Sequence, residues 1–172
     1  MTPLSRALAL LAAVAPLAGV TSVRAQSRTP ACGLLTAGEV RTLTGNKDYP
    51  DHADGEVRDE GRTSTCQYGG MGMLSGSSAP LLSVVLTSRK PGIKNAAEFQ
   101  RTWQLGTGCK RDNVTGVGDD AVYEACPNTR GPILYATKGS HDLLVQLDAK
   151  PATGATKATV IAVAKAASAK IK

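Results

Sequence analysis

Aromatic side chains are scarce in this chain: one Phe, one Trp and four Tyr among 172 residues. So few rings leave no platform for stacking successive bases, which excludes single-stranded nucleic acid as a partner class. Histidine occurs only at His52 and His141. No Gly-Lys-Ser/Thr occurs, so a phosphate-cradling loop is excluded. Neither G-x-S-x-G nor S-x-x-K is present, which removes two common frames for an activated serine. The cysteines form no C-x-x-C, which argues against a zinc ribbon or a thioredoxin-like redox motif. The formal charge of +6 is modest and scattered, so it gives only weak support for a polyanionic partner.

The N-terminus has the make-up of an export signal. A short basic start, MTPLSR, precedes ALALLAAVAPLAGV, an apolar run too short and too interrupted by Pro and Gly to span a membrane as a mature helix. Val23 and Ala25 supply small residues at the −3 and −1 positions, so cleavage is expected before Gln26. Residues 1–25 are thus expected to be a signal peptide, and 26–172 one domain. Cys32 lies outside the apolar run, in poor context for lipid attachment, so the mature chain is expected to be soluble, with no stable membrane anchor. Cleavage removes Arg6 and Arg24 and no acidic residue, lowering the charge from +6 to +4.

Four cysteines remain: Cys32, Cys66, Cys109 and Cys126. An even number in an exported chain reads as two disulfides, and four cysteines allow three pairings. Cys32–Cys66 and Cys109–Cys126 are favoured because each pair brackets one compact segment. Each bridge is worth about 3 kcal/mol through restriction of the unfolded chain.

Periodicity places the elements. Thr36 and Glu39 form a capping box, Leu35 and Val40 a hydrophobic staple, and Gly45 a helix stop. The stretch from Asn46 to Arg62 reads as a polar loop, and Thr63–Tyr68 as a strand. After a flexible Gly/Ser-rich connection, Leu81–Ser88 alternates as a strand should. A second helix begins at Asn95 and ends before Gly106, with Ala96, Phe99 and Trp103 on one face that reads as core. Strands at Asp120–Ala125, Ile133–Lys138 and His141–Leu147 follow, the last two joined by Gly139-Ser140, which suits a type II′ hairpin turn. An Ala-rich helix from about Thr156 to Lys170 closes the chain, with Val160, Ala164, Ala167 and Ile171 as its apolar stripe. Lys165, Lys170 and Lys172 read as its solvated face. Hairpins separated by helical excursions imply an α+β fold: an antiparallel β-sheet packed by helices in a single disulfide-stapled domain.

Few segments could carry chemistry. GVGDDAVYEAC, residues 116–126, has its glycines before a strand and not before a helix, so it cannot present a helix N-terminus to a phosphate. Asp119 and Asp120, adjacent on extended backbone, point to opposite faces and cannot converge as an acid/base pair. The stretch therefore reads as a turn capped by an aspartate, with Val122 buried. The region from Asp48 to Glu60 holds six carboxylates. Aligning Asp54-Gly55 with places five and six of an EF-hand puts Pro50 and His52 at ligand positions, where both fail. Met71 and Met73 with either histidine are too few soft ligands to define a copper centre. No catalytic, cofactor-binding or metal residue is assigned, and no cofactor is expected.

CGLLTAGEV, STCQY and GVGDDAVY, followed by a hydrophobic hairpin and an Ala-rich terminal helix, resemble a family of small exported bacterial domains of unknown function. Its relatives include actinobacterial lipoproteins of the LpqN type, within the PsbP-like superfamily. The resemblance covers Cys32 to Ile171. It implies an antiparallel sheet flanked by helices, with the first two cysteines tying the first helix to the sheet. This chain departs in lacking the lipid-accepting cysteine, and Cys109–Cys126 looks like an added staple. The function expected is a non-enzymatic binding domain, periplasmic or secreted, whose partner is a protein or small molecule of the cell envelope. The alternatives are a hydrolase with dispersed residues and a structural accessory of the envelope.

Overall fold

The computed structural model describes residues 30–69, 79–103, 107–127, 131–149 and 154–172, with α3 side chains from residue 156 onward. The signal-peptide segment, Met71 and Met73 lie outside the described residues. Seven antiparallel strands form one sheet: β1 (Asp54–Arg58), β2 (Thr63–Tyr68), β3 (Leu82–Ser88), β4 (Lys110–Val114), β5 (Asp120–Ala125), β6 (Ile133–Lys138) and β7 (His141–Leu147). Their order across the sheet is β1-β2-β3-β7-β6-β5-β4. The helices are α1 (Ala37–Thr44), α2 (Ala96–Trp103) and α3 (Gly154–Ser168). The architecture is the expected α+β, with an antiparallel sheet, three helices and two disulfides.

The five strands expected from periodicity form the interior of the sheet. The edges, β1 and β4, were not expected. DGEVR and KRDNV have almost every residue exposed, so neither shows the apolar alternation that marks a half-buried strand. Charged edge strands of this kind resist pairing with a second chain. Asp54-Gly55 therefore belongs to an edge strand and not to a cation loop; its partners are Gln67 and Cys66. The link from β1 to β2 runs through Asp59, Glu60 and Gly61, all at positive φ.

Two cores form, one on each face of the sheet. On the first face, α3 packs on β6 and β7, α1 packs on α3, and the short turn Ala31–Gly33 packs on β2 and β3, burying Leu82, Val84, Leu134, Ala136, Leu143 and Val145. The stripe Val160, Ala164, Ala167 and Ile171 is buried there as expected, joined by Val163. Cys32, just before α1, is bridged to Cys66 of β2, and the backbone N–H of Ala31 donates to Ser64 Oγ at 3.0 Å. The second bridge joins Cys109 to Cys126, where β4 meets β5. Both pairings are as expected, and disulfides of this kind belong to an oxidising, extracellular compartment. Among the described residues, no helix is long and apolar enough to cross a membrane.

The capping box at α1 is complete: Glu39 N–H donates to Thr36 Oγ1 and Thr36 N–H donates to Glu39 Oε2. Lys170 is not simply solvated. Its Nζ lies 2.7 Å from Glu39 Oε1 and ties the C-terminal end of α3 to α1. The Lys170 hydrogen bond, followed by the one from the Thr36 amide, holds the Glu39 carboxyl below its ordinary value of 4.5. A depressed native pKa adds stability above the unfolded value that is lost as pH falls through the native one. Glu39→Gln keeps the capping acceptor and removes the charge. It should cost about 0.5 kcal/mol at pH 7, the scale of an exposed pair, and less at pH 3, since the contribution fades as pH falls through the lowered native value. Denaturant melts at the two pH values check this.

Candidate functional site

The second face is only half covered. Helix α2 packs on β5 and β6, and its Phe99 joins Val85, Ile133, Tyr135 and Leu144 in a small core. Two sheet-derived contacts hold the helix there. Asp120 Oδ2 accepts from the backbone N–H of Ala96 at 2.9 Å, and Gln100 Nε2 donates to Glu124. The helix also caps itself as its sequence implies: Asn95 Oδ1 accepts from Glu98 N–H, and Glu98 Oε2 accepts from Lys94 N–H. Phe99 meets Trp103 and Tyr135 edge-on, with ring centroids 6.3 and 5.8 Å apart.

Beyond α2, the same face of β1, β2, β3 and β7 forms a groove of about 600 Å³, within the size range of small-molecule sites. The strand registers align its polar lining in rows. Gln67, Ser83 and Gln146 form one row across β2, β3 and β7, and Arg58, Thr63, Thr87 and Asp142 another across all four strands. Between them lies a row from Glu56 and Thr65 to the apolar Val85 and Leu144. Ile93, Phe99 and Trp103 add an apolar wall. The face is thus apolar next to α2 and rich in hydroxyls and amides farther out. Expecting Trp103 to be core was half correct: it packs on Phe99, but it is only partly buried and also lines the groove.

Of the charged groups of the lining, Glu56, Arg58, Asp59, Lys90 and Asp142, one pair is joined within the groove and Asp142 is held by Arg89 from outside it. Arg58 Nε lies 2.8 Å from Glu56, and Asp59 Oδ2 accepts from the Thr63 hydroxyl at 2.9 Å. Asp142, with a side chain only 1% exposed, takes Arg89 Nε on Oδ1 at 2.8 Å. Its other oxygen, Oδ2, is buried with no hydrogen-bond partner among the described residues. Burial pushes the Asp142 carboxyl above the usual carboxylate range, against the opposing pull of Arg89.

The other residues weighed from sequence lie elsewhere. Asp119 and Asp120 diverge as expected for neighbours on extended backbone. Asp119 accepts from Gly139 N–H at 2.7 Å and pairs with Lys138, so it caps the β6–β7 hairpin, whereas Asp120 caps α2. His52 is exposed before β1. His141 Nδ1 lies 3.4 Å from Ser140 Oγ on the hairpin. Neither histidine lines the groove. The four cysteines are all in disulfides. Sequence reasoning missed the groove because its residues come from four strands and no local motif joins them. One signal was available: Thr63, Thr65 and Gln67 alternate with Ser64, Cys66 and Tyr68, giving β2 one wholly polar face.

No protein-family model matches the chain, and no curated protein or solved structure matches it either.

Proposed function

We propose that this is an exported, periplasmic or secreted, non-enzymatic binding domain whose groove holds an uncharged, hydrogen-bonding small molecule. The observation that carries the reading is the half-covered second face, where a groove of about 600 Å³ combines an apolar wall with rows of hydroxyls and amides. With Arg89 behind Asp142, three acidic groups (Glu56, Asp59 and Asp142) face three basic ones (Arg58, Lys90 and Arg89), so the site offers little net charge to attract an ion, whereas the hydroxyls and amides of Thr65, Gln67, Ser83 and Gln146 suit a neutral partner. The resemblance to small exported domains of the LpqN type is part of the same proposal and supports the envelope as the place where the ligand is met.

Trp103 is the only tryptophan in the chain, so its emission reports on the groove. Titration with uncharged small-molecule fractions of the envelope should shift that emission saturably. Ser83→Phe, which fills the floor of the groove, should abolish the shift and leave the thermal melt close to wild type. A shift that persists in Ser83→Phe would place the ligand elsewhere, and no shift with any fraction would remove the proposal.

A further inference from the structure

The second disulfide sits beside a buried carboxylate whose surroundings suit it poorly. Glu124 on β5 has a fully buried side chain. Its Oε2 accepts from Gln100 Nε2 at 2.5 Å and from Arg111 Nε at 2.7 Å. Its Oε1 faces Cys126 Sγ at 3.3 Å. A disulfide sulfur carries no hydrogen, so this contact is not a hydrogen bond, and Oε1 is a buried carboxylate oxygen with no donor among the described residues. Such groups are rare because nothing replaces the water they have lost. The sulfurs of Cys109 and Cys126 and a Glu124 oxygen all lie within 4.8 Å of one another. The absence of C-x-x-C spacing argued against zinc, but here the register of β4 on β5 gathers the ligands.

We propose that, when the Cys109–Cys126 bridge is reduced, Cys109, Cys126 and Glu124 become a binding site for Zn²⁺. An external dithiol delivers two electrons and two protons to the bridge and is itself oxidised to a disulfide. Zinc then displaces both thiol protons to solvent and bonds the two thiolates and Glu124 Oε1. Zn–S bonds of about 2.3 Å and a Zn–O bond of about 2.0–2.2 Å put sulfur and oxygen roughly 3.5–3.7 Å apart in a tetrahedron, and the two sulfurs roughly 3.8 Å apart. The 3.3 Å from Oε1 to Cys126 Sγ is within a few tenths of an ångström of that sulfur–oxygen spacing, and reduction frees the two bonded sulfurs to part. Two thiolates and one carboxylate select zinc over calcium or magnesium. Two thiolates and Glu124 carry three negative charges, which a divalent cation and Arg111 together cancel. Arg111 and Gln100 on Oε2 fix the carboxylate and leave Oε1 for the metal, as the outer partners of metal ligands do. Both cysteines are partly exposed, so the fourth position is open to water. Either the bridge or the metal holds edge strand β4 to β5.

The test uses the full mature chain, oxidised or treated with a dithiol, and Zn²⁺ itself as the probe. Competition with a chromophoric chelator should show one zinc per reduced chain and none on the oxidised chain. Co²⁺ in its place should give sulfur-to-metal charge-transfer absorption of tetrahedral type. Zinc should protect Cys109 and Cys126 from alkylation in peptide maps. Glu124→Gln should weaken zinc binding at least tenfold, on the scale of 10- to 100-fold losses at metal sites. Zinc carried by Cys32 and Cys66, equal binding by oxidised and reduced chains, or full affinity in Glu124→Gln would each overturn the proposal. Should Glu124→Gln not fold, the alkylation map and cobalt spectrum of the wild-type chain decide the matter by themselves.

Discussion

Gly118→Val should destabilise the fold by about 4 kcal/mol or more, enough to lower the melting temperature by roughly 10–15 °C. Two effects add. Gly118 sits at φ +60°, in the left-handed region that β-branched residues resist. A Cβ at this position would also run into the backbone carbonyl oxygen of Thr137, and that carbonyl cannot retreat because it accepts from Asp119 N–H at 2.7 Å. Gly118 N–H in turn donates to Ser168 Oγ at the end of α3, so the strain spreads from the β4–β5 turn to the first core. Asp119→Asn is the informative contrast. Asparagine keeps an acceptor for Gly139 N–H and gives up only an exposed pair with Lys138, so its melt should stay close to wild type. Thermal melts of both variants check this. A mild Gly118→Val or a severe Asp119→Asn would contradict the assignment of GVGDD to a hairpin turn.

Arg89→Ala should cost about 3–5 kcal/mol at neutral pH, because it strands a buried carboxylate. Asp142 is buried, and among the described residues Arg89 supplies its only ion pair and Oδ2 has no partner. Arg89 Nη2 also donates to the His141 carbonyl at 3.0 Å, so the hairpin loses a second contact. The pH dependence identifies the cause. Burial places the native pKa of Asp142 above its ordinary value of 3.8, and Arg89 is the first of the groups that oppose it. Without Arg89 that pKa rises further. A carboxyl with a raised native pKa favours folding below the unfolded value, and the benefit is lost as pH climbs through the native one. The deficit of Arg89→Ala should therefore be greatest at pH 7 and shrink as the solution is acidified and Asp142 takes up a proton. Asp142→Asn in the same background should recover part of it at pH 7. Denaturant unfolding from pH 7 down to 4.5 measures this; a deficit independent of pH would show that Arg89 acts by packing alone.

The interior of the fold was legible in the sequence where burial imposes a period. Leu82, Val84, Leu143 and Val145 are buried on one face, and a one-residue slip would turn them all to the other. The capping box at Thr36 and Glu39 and the stop at Gly45 were legible because they satisfy backbone groups within a few residues. Strands β1 and β4 were not, since an edge strand gains its hydrogen bonds from a neighbour distant in sequence or across a turn and buries little. Their turns held the clue. Gly116 and Gly118 both have positive φ, and a turn that opens one strand of a hairpin implies another strand before it. The groove was illegible for a different reason. Thr65, Ser83 and Gln146 look like ordinary solvent-facing positions until α2 is seen to stop at β6 and leave their face open.

The central claim is that this open face is a ligand site in an exported domain, and native mass spectrometry of the chain recovered from its own exported fraction tests it most directly. The wild-type chain should carry an uncharged small-molecule adduct, with both disulfides intact, that Ser83→Phe recovered in the same way lacks. A bare chain from the same fraction, or an adduct retained undiminished by Ser83→Phe, would contradict the claim.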